Sequence, residues 1–204
     1  MLKRNQIEYI AYDAAHVAYS VLGLDCKYSI NFIEEPEMQF DGFLDTDNNI
    51  INLNLCVLTP FSHEAVPPSI PVEDMSPEEL EIDENYRHSM KIYSVVYHEM
   101  RHLYQKRAVE IYTINQFLGG GIKPLESKKK CELWAQELKI YVLGEGSGTD
   151  VEADADDFAY YLSNRHPIKL PMMRTNRRLA AMKRKYDKVE LPEGWETSPS
   201  QPQK

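Results

Sequence analysis

Tyr86-Arg87-His88-Ser89-Met90-Lys91-Ile92-Tyr93-Ser94-Val95-Val96-Tyr97-His98-Glu99-Met100-Arg101-His102-Leu103-Tyr104-Gln105 is the stretch on which the reading of this chain turns. Tyr86, Met90, Tyr93, Tyr97, Met100 and Tyr104 recur at three- and four-residue intervals, the pattern of one apolar helix face. On a helical wheel His98 and His102 fall on roughly the opposite side, with Lys91, Ser94 and Gln105. The expectation is a helix anchored by one face that presents two histidines to a cleft.

The residue types at 98–102 point to a metal. Histidines four apart project from one helical face, where two imidazole nitrogens can bind one ion. A catalytic zinc takes three protein ligands and keeps one position for water. Glu99 is turned from His98 by about 100° of helix. There its carboxylate can reach a water whose pKa the zinc lowers to about 7, and take its proton during attack on a carbonyl. The simpler alternative is two surface histidines on an ordinary helix. The pattern HExxH arises by chance roughly 0.02 times in a chain of this length and composition.

The third ligand must come from elsewhere, because residues 105 and 108 are Gln105 and Ala108 rather than the glycine and histidine of the extended metzincin pattern. Glu152, in Val151-Glu152-Ala153-Asp154-Ala155-Asp156-Asp157-Phe158-Ala159, is the leading candidate. Glu152 and Asp156 share a helical face, so one carboxylate can bind the ion while the other accepts a hydrogen bond from a ligating imidazole. The alanines would let this helix approach the histidine helix closely. A competing explanation is a capping box at Thr149-x-x-Glu152, and Glu137 and Glu132 remain alternative ligands. An EF-hand reading of the acidic run fails for want of a central glycine.

Outward from these two segments, Ile7, Ile10, Ala11, Ala14, Ala18, Val21 and Leu22 predict an N-terminal helix stopped by Gly23. Tyr28–Ile33 reads as a strand. Phe40–Leu44, a turn at Asp45–Asn49, and the alternation of Ile51, Leu53 and Leu55 with Asn52 and Asn54 read as a hairpin with one apolar and one polar face. The prolines at 60, 67, 68 and 71 make residues 59–74 a loop. Ser76-Pro77-Glu78-Glu79 is a helix start, and that helix runs towards Arg107 with a break near Asp83. Helices are further expected at Cys131–Val142, from Thr149 or Asp150 to Ser163, and at Thr175–Lys188, with a glycine-rich connector at 144–148. The order predicts an α+β domain over residues 1–188 with a small, largely antiparallel sheet. Residues 117–149 form an inserted element between the HExxH segment and the Glu152 helix, and 189–204 a disordered tail.

The 204 residues suit one domain, and no stretch approaches the roughly 18 apolar residues of a membrane span. The N-terminus runs into an amphipathic pattern rather than an apolar signal core, and the odd, scattered Cys26, Cys56 and Cys131 read as reduced thiols. Both point to the cytoplasm. A net charge of −9 argues against general nucleic-acid binding. Residues 167–204 nonetheless carry nine Lys/Arg against four Asp/Glu, read as a basic helix docked on an acidic body, with a partner-binding helix as the alternative.

Val96-Tyr97-His98-Glu99-Met100-Arg101-His102 followed by Glu152-Ala153-Asp154-Ala155-Asp156-Asp157-Phe158-Ala159 resembles the gluzincin type of zincin, and more narrowly the ImmA/IrrE-type metallopeptidases. That resemblance implies a zincin-like fold, zinc on His98, His102 and Glu152, Glu99 as general base, and Asp156 supporting a ligand. It implies a protein or peptide substrate in a strand-lined cleft, with Ile50–Leu55 as the edge strand for the substrate to pair with. It departs from that pattern in the longer gap between His102 and Glu152 and in lacking an N-terminal helix-turn-helix module. Tyr160, Tyr161, Arg165 and His166 lie near the segment expected to stabilise an oxyanion, without one standing out. The alternative function is a metal-bound regulatory or binding module with little turnover, for which a base at Glu99 would be superfluous.

Overall fold

A computed structural model describes residues 2–59, 75–142 and 150–166. The proline-rich loop after Thr59, the 144–148 connector, the Thr175–Lys188 helix and the tail lie outside the described residues. The architecture is α+β. Helix α1 (Arg4–Leu22) precedes strands β1 (Ser29–Ile33), β2 (Gly42–Asp45) and β3 (Ile50–Asn54). A single-turn helix α2 (Leu55–Leu58) follows, then α3 (Pro77–Leu118), α4 (Lys128–Val142) and α5 (Asp150–Arg165). No helix among the described residues is long and apolar enough to cross a membrane.

Helix α3 organises the molecule. Ser76 caps it as its sequence predicts: the hydroxyl accepts from the Glu79 amide at 3.3 Å, and the Glu79 carboxylate accepts from the Ser76 amide at 3.1 Å. The helix then runs 42 residues, about 60 Å, with no break at Asp83. Asp83 instead turns inward to a fully buried ion pair with Arg87 at 2.6 Å, which keeps the helical turn. At the far end Gly119 adopts φ 70°, a left-handed C-cap that an L side chain disfavours. The Asn115 carboxamide brackets the turn that follows, donating to Ile122 O at 2.8 Å and accepting from Ile122 N at 3.0 Å.

The apolar stripe of α3 is buried except at half-buried Met90, but its other side is not open. Arg87, His88, Arg101, His102 and Gln105 are also buried, because α3 is covered on several sides. Helix α1 covers one of them: Ile7, Ile10, Ala11, Ala14, Ala15 and Ala18 are inaccessible, and small residues permit close approach. Tyr93 seals that seam by donating its hydroxyl to Asp13 at 2.6 Å.

The sheet departs from its expectation. Its order is β1-β3-β2, with β1 parallel and β2 antiparallel to β3. The sheet is therefore mixed rather than largely antiparallel. The hairpin β2–β3 forms as read, but β3 is the central strand, and Ile50–Leu55 offers no edge for a substrate. Residues 34–41 arch over the end of β3, and Asn54 holds them there. Its Nδ2 donates to Glu35 O at 2.8 Å and Met38 O at 3.2 Å, and its Oδ1 accepts from Glu35 N at 3.3 Å and Cys56 N at 3.1 Å. Asn54 is wholly inaccessible, and Asn52 is buried with a hydrogen bond from Asn31 of β1 at 3.1 Å. The expected polar face is buried at both Asn52 and Asn54.

Candidate metal centre

Helix α3 supplies His98 and His102 one turn apart, and α5 lies across it with Glu152 facing both. His98 Nε2 and His102 Nε2 stand 2.9 Å apart; Glu152 Oε2 lies 3.2 Å from the first and Glu152 Oε1 3.3 Å from the second. Ligands held 2.0–2.1 Å from a tetrahedral ion would be separated by about 3.3 Å, close to the length of each of these contacts. The three side chains could hold a metal ion.

The outer nitrogen of each imidazole is also engaged. His98 Nδ1 lies 2.8 Å from Asp156 Oδ1, and a carboxylate only accepts, so this nitrogen carries the hydrogen and Nε2 points inward. His102 Nδ1 lies 2.8 Å from Gln105 Oε1. The Asp156 side chain is 76% exposed, whereas His102 is buried.

Charge follows this geometry. Burial pulls the His98 imidazole down, but the hydrogen bond to Glu152 and the charges of Glu99, Glu152 and Asp156 outweigh it and leave it at about 8. Burial pushes the Glu152 carboxyl up, and hydrogen bonds from His102 and His98 more than reverse this, to about 2. Glu99 differs: burial holds its carboxyl above the usual range despite both histidines. It accepts from the Leu44 backbone of β2, while its Oε2 is buried with no hydrogen-bond partner among the described residues.

A cleft of about 220 Å³ opens beside this group, lined by Phe40, Asp41, Gly42, Ser94, Val95, His98, Glu99 and Asp156. Strand β2 forms one wall, α3 the other. The strand sits close because residue 42 is glycine: a Cβ there would lie 3.0 Å from Leu53 and Val95 side-chain atoms and 3.1 Å from Asn52 O. Lys106 of α3 ties down the hairpin tip through Thr46 O and, at 2.6 Å, Asn49 Oδ1.

The alternative ligands are placed elsewhere. Glu137 accepts from the Val151 amide at 2.8 Å, and exposed Glu132 accepts from the Tyr112 hydroxyl at 2.8 Å. Of Tyr160, Tyr161, Arg165 and His166, none lines the cleft; Arg165 lies 4.8 Å over the Tyr161 ring. Sequence reasoning missed Gln105, Asp154 and Leu44. Gln105 falls on the histidine side of the helix, and stands at i+3 from His102, a spacing that signals contact, but as a neutral side chain it was given no role. The backbone amide of Leu44 leaves no sequence signal at all. No family model, curated protein or solved structure matches the chain.

Proposed function

We propose that this protein is a zinc-dependent metallopeptidase of the zincin type, similar to the ImmA/IrrE-type enzymes, that hydrolyses a peptide bond in a protein or peptide substrate. The observation that carries the reading is Glu99. A buried carboxylate with one oxygen lacking a hydrogen-bond partner, in the cleft wall beside a three-ligand group, is costly to keep for structure alone. Metal storage or binding would not need it.

Zinc held by His98, His102 and Glu152 would supply a Lewis acid that polarises a carbonyl and makes water nucleophilic near neutral pH. Glu99 Oε2 takes the proton from the attacking water, its burial raising its affinity for that proton. Asp156 and Gln105 hold the imidazoles with their inner nitrogens turned towards each other and Glu152. The substrate strand pairs with β2, Gly42–Asp45, rather than with central β3, because β2 forms both a sheet edge and a cleft wall.

Metal analysis of the purified chain tests the first half: about one zinc per chain is expected, lost in His98→Ala with His102→Ala. Glu99→Gln tests the second. It keeps size and zinc but cannot accept a proton, so cleavage of a peptide library should fall by orders of magnitude. Wild-type cleavage by that variant would remove Glu99 as base.

A further inference from the structure

We propose that Gln105 is the positioning residue of this centre: it fixes His102 with Nε2 turned towards His98 and Glu152 and joins that histidine to the helix that delivers Glu152. The inference rests on the metal-site reading above and assigns a role to a side chain that binds no ion itself.

The direction of the Gln105 amide is settled by its surroundings. Its Nε2 lies 3.0 Å from Val151 O and 2.9 Å from Asp154 Oδ2, a carbonyl and a carboxylate, neither of which can donate. The nitrogen must face those two, so the oxygen faces His102 Nδ1 at 2.8 Å. An acceptor at that distance requires the hydrogen on Nδ1 and turns Nε2 towards His98 and Glu152. The same amide thereby spans two helices, with Val151 and Asp154 flanking Glu152 on α5.

Asp154 is itself firmly seated. Arg101 grips it through two hydrogen bonds at 2.7 and 3.1 Å, and Lys130 of α4 adds an ion pair at 3.1 Å. Arg101 is buried over the rings of Tyr104, Phe158 and Trp134, 4.7, 5.3 and 5.6 Å from their centroids. The relay from Lys130 and Arg101 through Asp154 and Gln105 to His102 therefore crosses three helices, and the segment between His102 and Glu152 contributes to it through Lys130.

The two histidines are supported unequally. Asp156, behind His98, is largely exposed, so water can replace it. Gln105, behind His102, is wholly buried, and nothing can take its place there. Removing Gln105 should therefore weaken the metal more than removing Asp156.

The experiment measures Zn²⁺ affinity by chelator competition, and Co²⁺ visible spectra, on the full chain and four variants. Gln105→Leu should weaken Zn²⁺ about 100-fold and alter the Co²⁺ spectrum, and Asp156→Ala about 10-fold, the two ends of the range for groups supporting a ligand. Gln105→Glu should also weaken it, since its carboxylate meets the Asp154 carboxylate and the Val151 carbonyl. Gln105→Met keeps the length and packing of the side chain, removes only its hydrogen-bonding groups, and should weaken Zn²⁺ by a similar factor to Gln105→Leu. That comparison stands even if Gln105→Leu does not fold. Wild-type affinity and an unchanged Co²⁺ spectrum in folded Gln105→Leu or Gln105→Met would overturn the assignment. A wild-type chain that takes no Zn²⁺ would overturn the metal reading itself, and this inference with it.

Discussion

The Glu137 carboxylate accepts a hydrogen bond from the Val151 amide at 2.8 Å, one residue ahead of Glu152. That amide is among the first of α5, which have no acceptor within their own helix. Glu137 thus caps α5 from α4 and leaves Glu152 to face the histidines. Glu137→Ala should cost about 1 kcal/mol in urea denaturation and keep zinc stoichiometry. On the zinc reading proposed above, Glu152→Ala should strip the metal at little cost to the fold. The opposite result would move the ligand to α4.

Asn54 is expected to be the most sensitive polar position of the sheet. Its four hydrogen bonds join the arch, the end of β3 and the start of α2, and its own side chain is inaccessible. Asn54→Ala leaves buried carbonyls and amides unmatched, and should destabilise by about 2–3 kcal/mol. Asn54→Asp should fare no better, because an anion cannot donate to Glu35 O and Met38 O. Equilibrium denaturation of both variants checks this, and a loss under 1 kcal/mol for Asn54→Ala would refute it.

Gly42→Ala should separate strand from helix. The new methyl meets the carbonyl of Asn52, which belongs to the paired strand and cannot move alone. The expected cost is about 1–3 kcal/mol. Because β2 also hydrogen-bonds Glu99 through Leu44, peptide cleavage should drop beyond what the lost stability explains. A crystal structure of the variant with β2 unmoved would contradict this.

His88 should add acid sensitivity. Its Nε2–H donates to Leu58 O at 2.5 Å, and burial holds the imidazole below its ordinary value of 6.5. Above pH 6.5 both folded and unfolded forms are neutral at this position, so its contribution is constant. As pH falls from 6.5 through the lower folded value, the unfolded chain takes up a proton the folded chain resists, and stability declines. His88→Gln should flatten the stability–pH profile in that window. An unchanged slope would show that another group carries the acid loss.

The sequence made some of this legible and hid the rest for definable reasons. The Ser76 cap, the stop at Gly23 and the α3 stripe are local features, governed by spacing within one helix, and appear as read. His98 and His102 are legible for the same reason. Glu152 came within reach as half of a carboxylate pair on one helical face, with the family resemblance added, although no periodicity connects it to histidines about 50 residues away. The sheet order was not legible. Alternation records which face a residue occupies, never which strand lies beside it, and a buried asparagine alternates like an exposed one. Gln105 was hidden because its value comes from what faces it on another helix.

The separations along the chain also bear on kinetics. Contacts between α3 and α5 at this centre join residues 46 to 58 positions apart, from Gln105–Val151 to His98–Asp156. Such closures are slow compared with helix formation, and an ion bridging them binds only once both helices have docked. Its binding energy is then absent from any transition state in which α5 is still undocked. An ion held by His98, His102 and Glu152 would on that account slow unfolding far more than it speeds folding, and act as a latch on a structure already made.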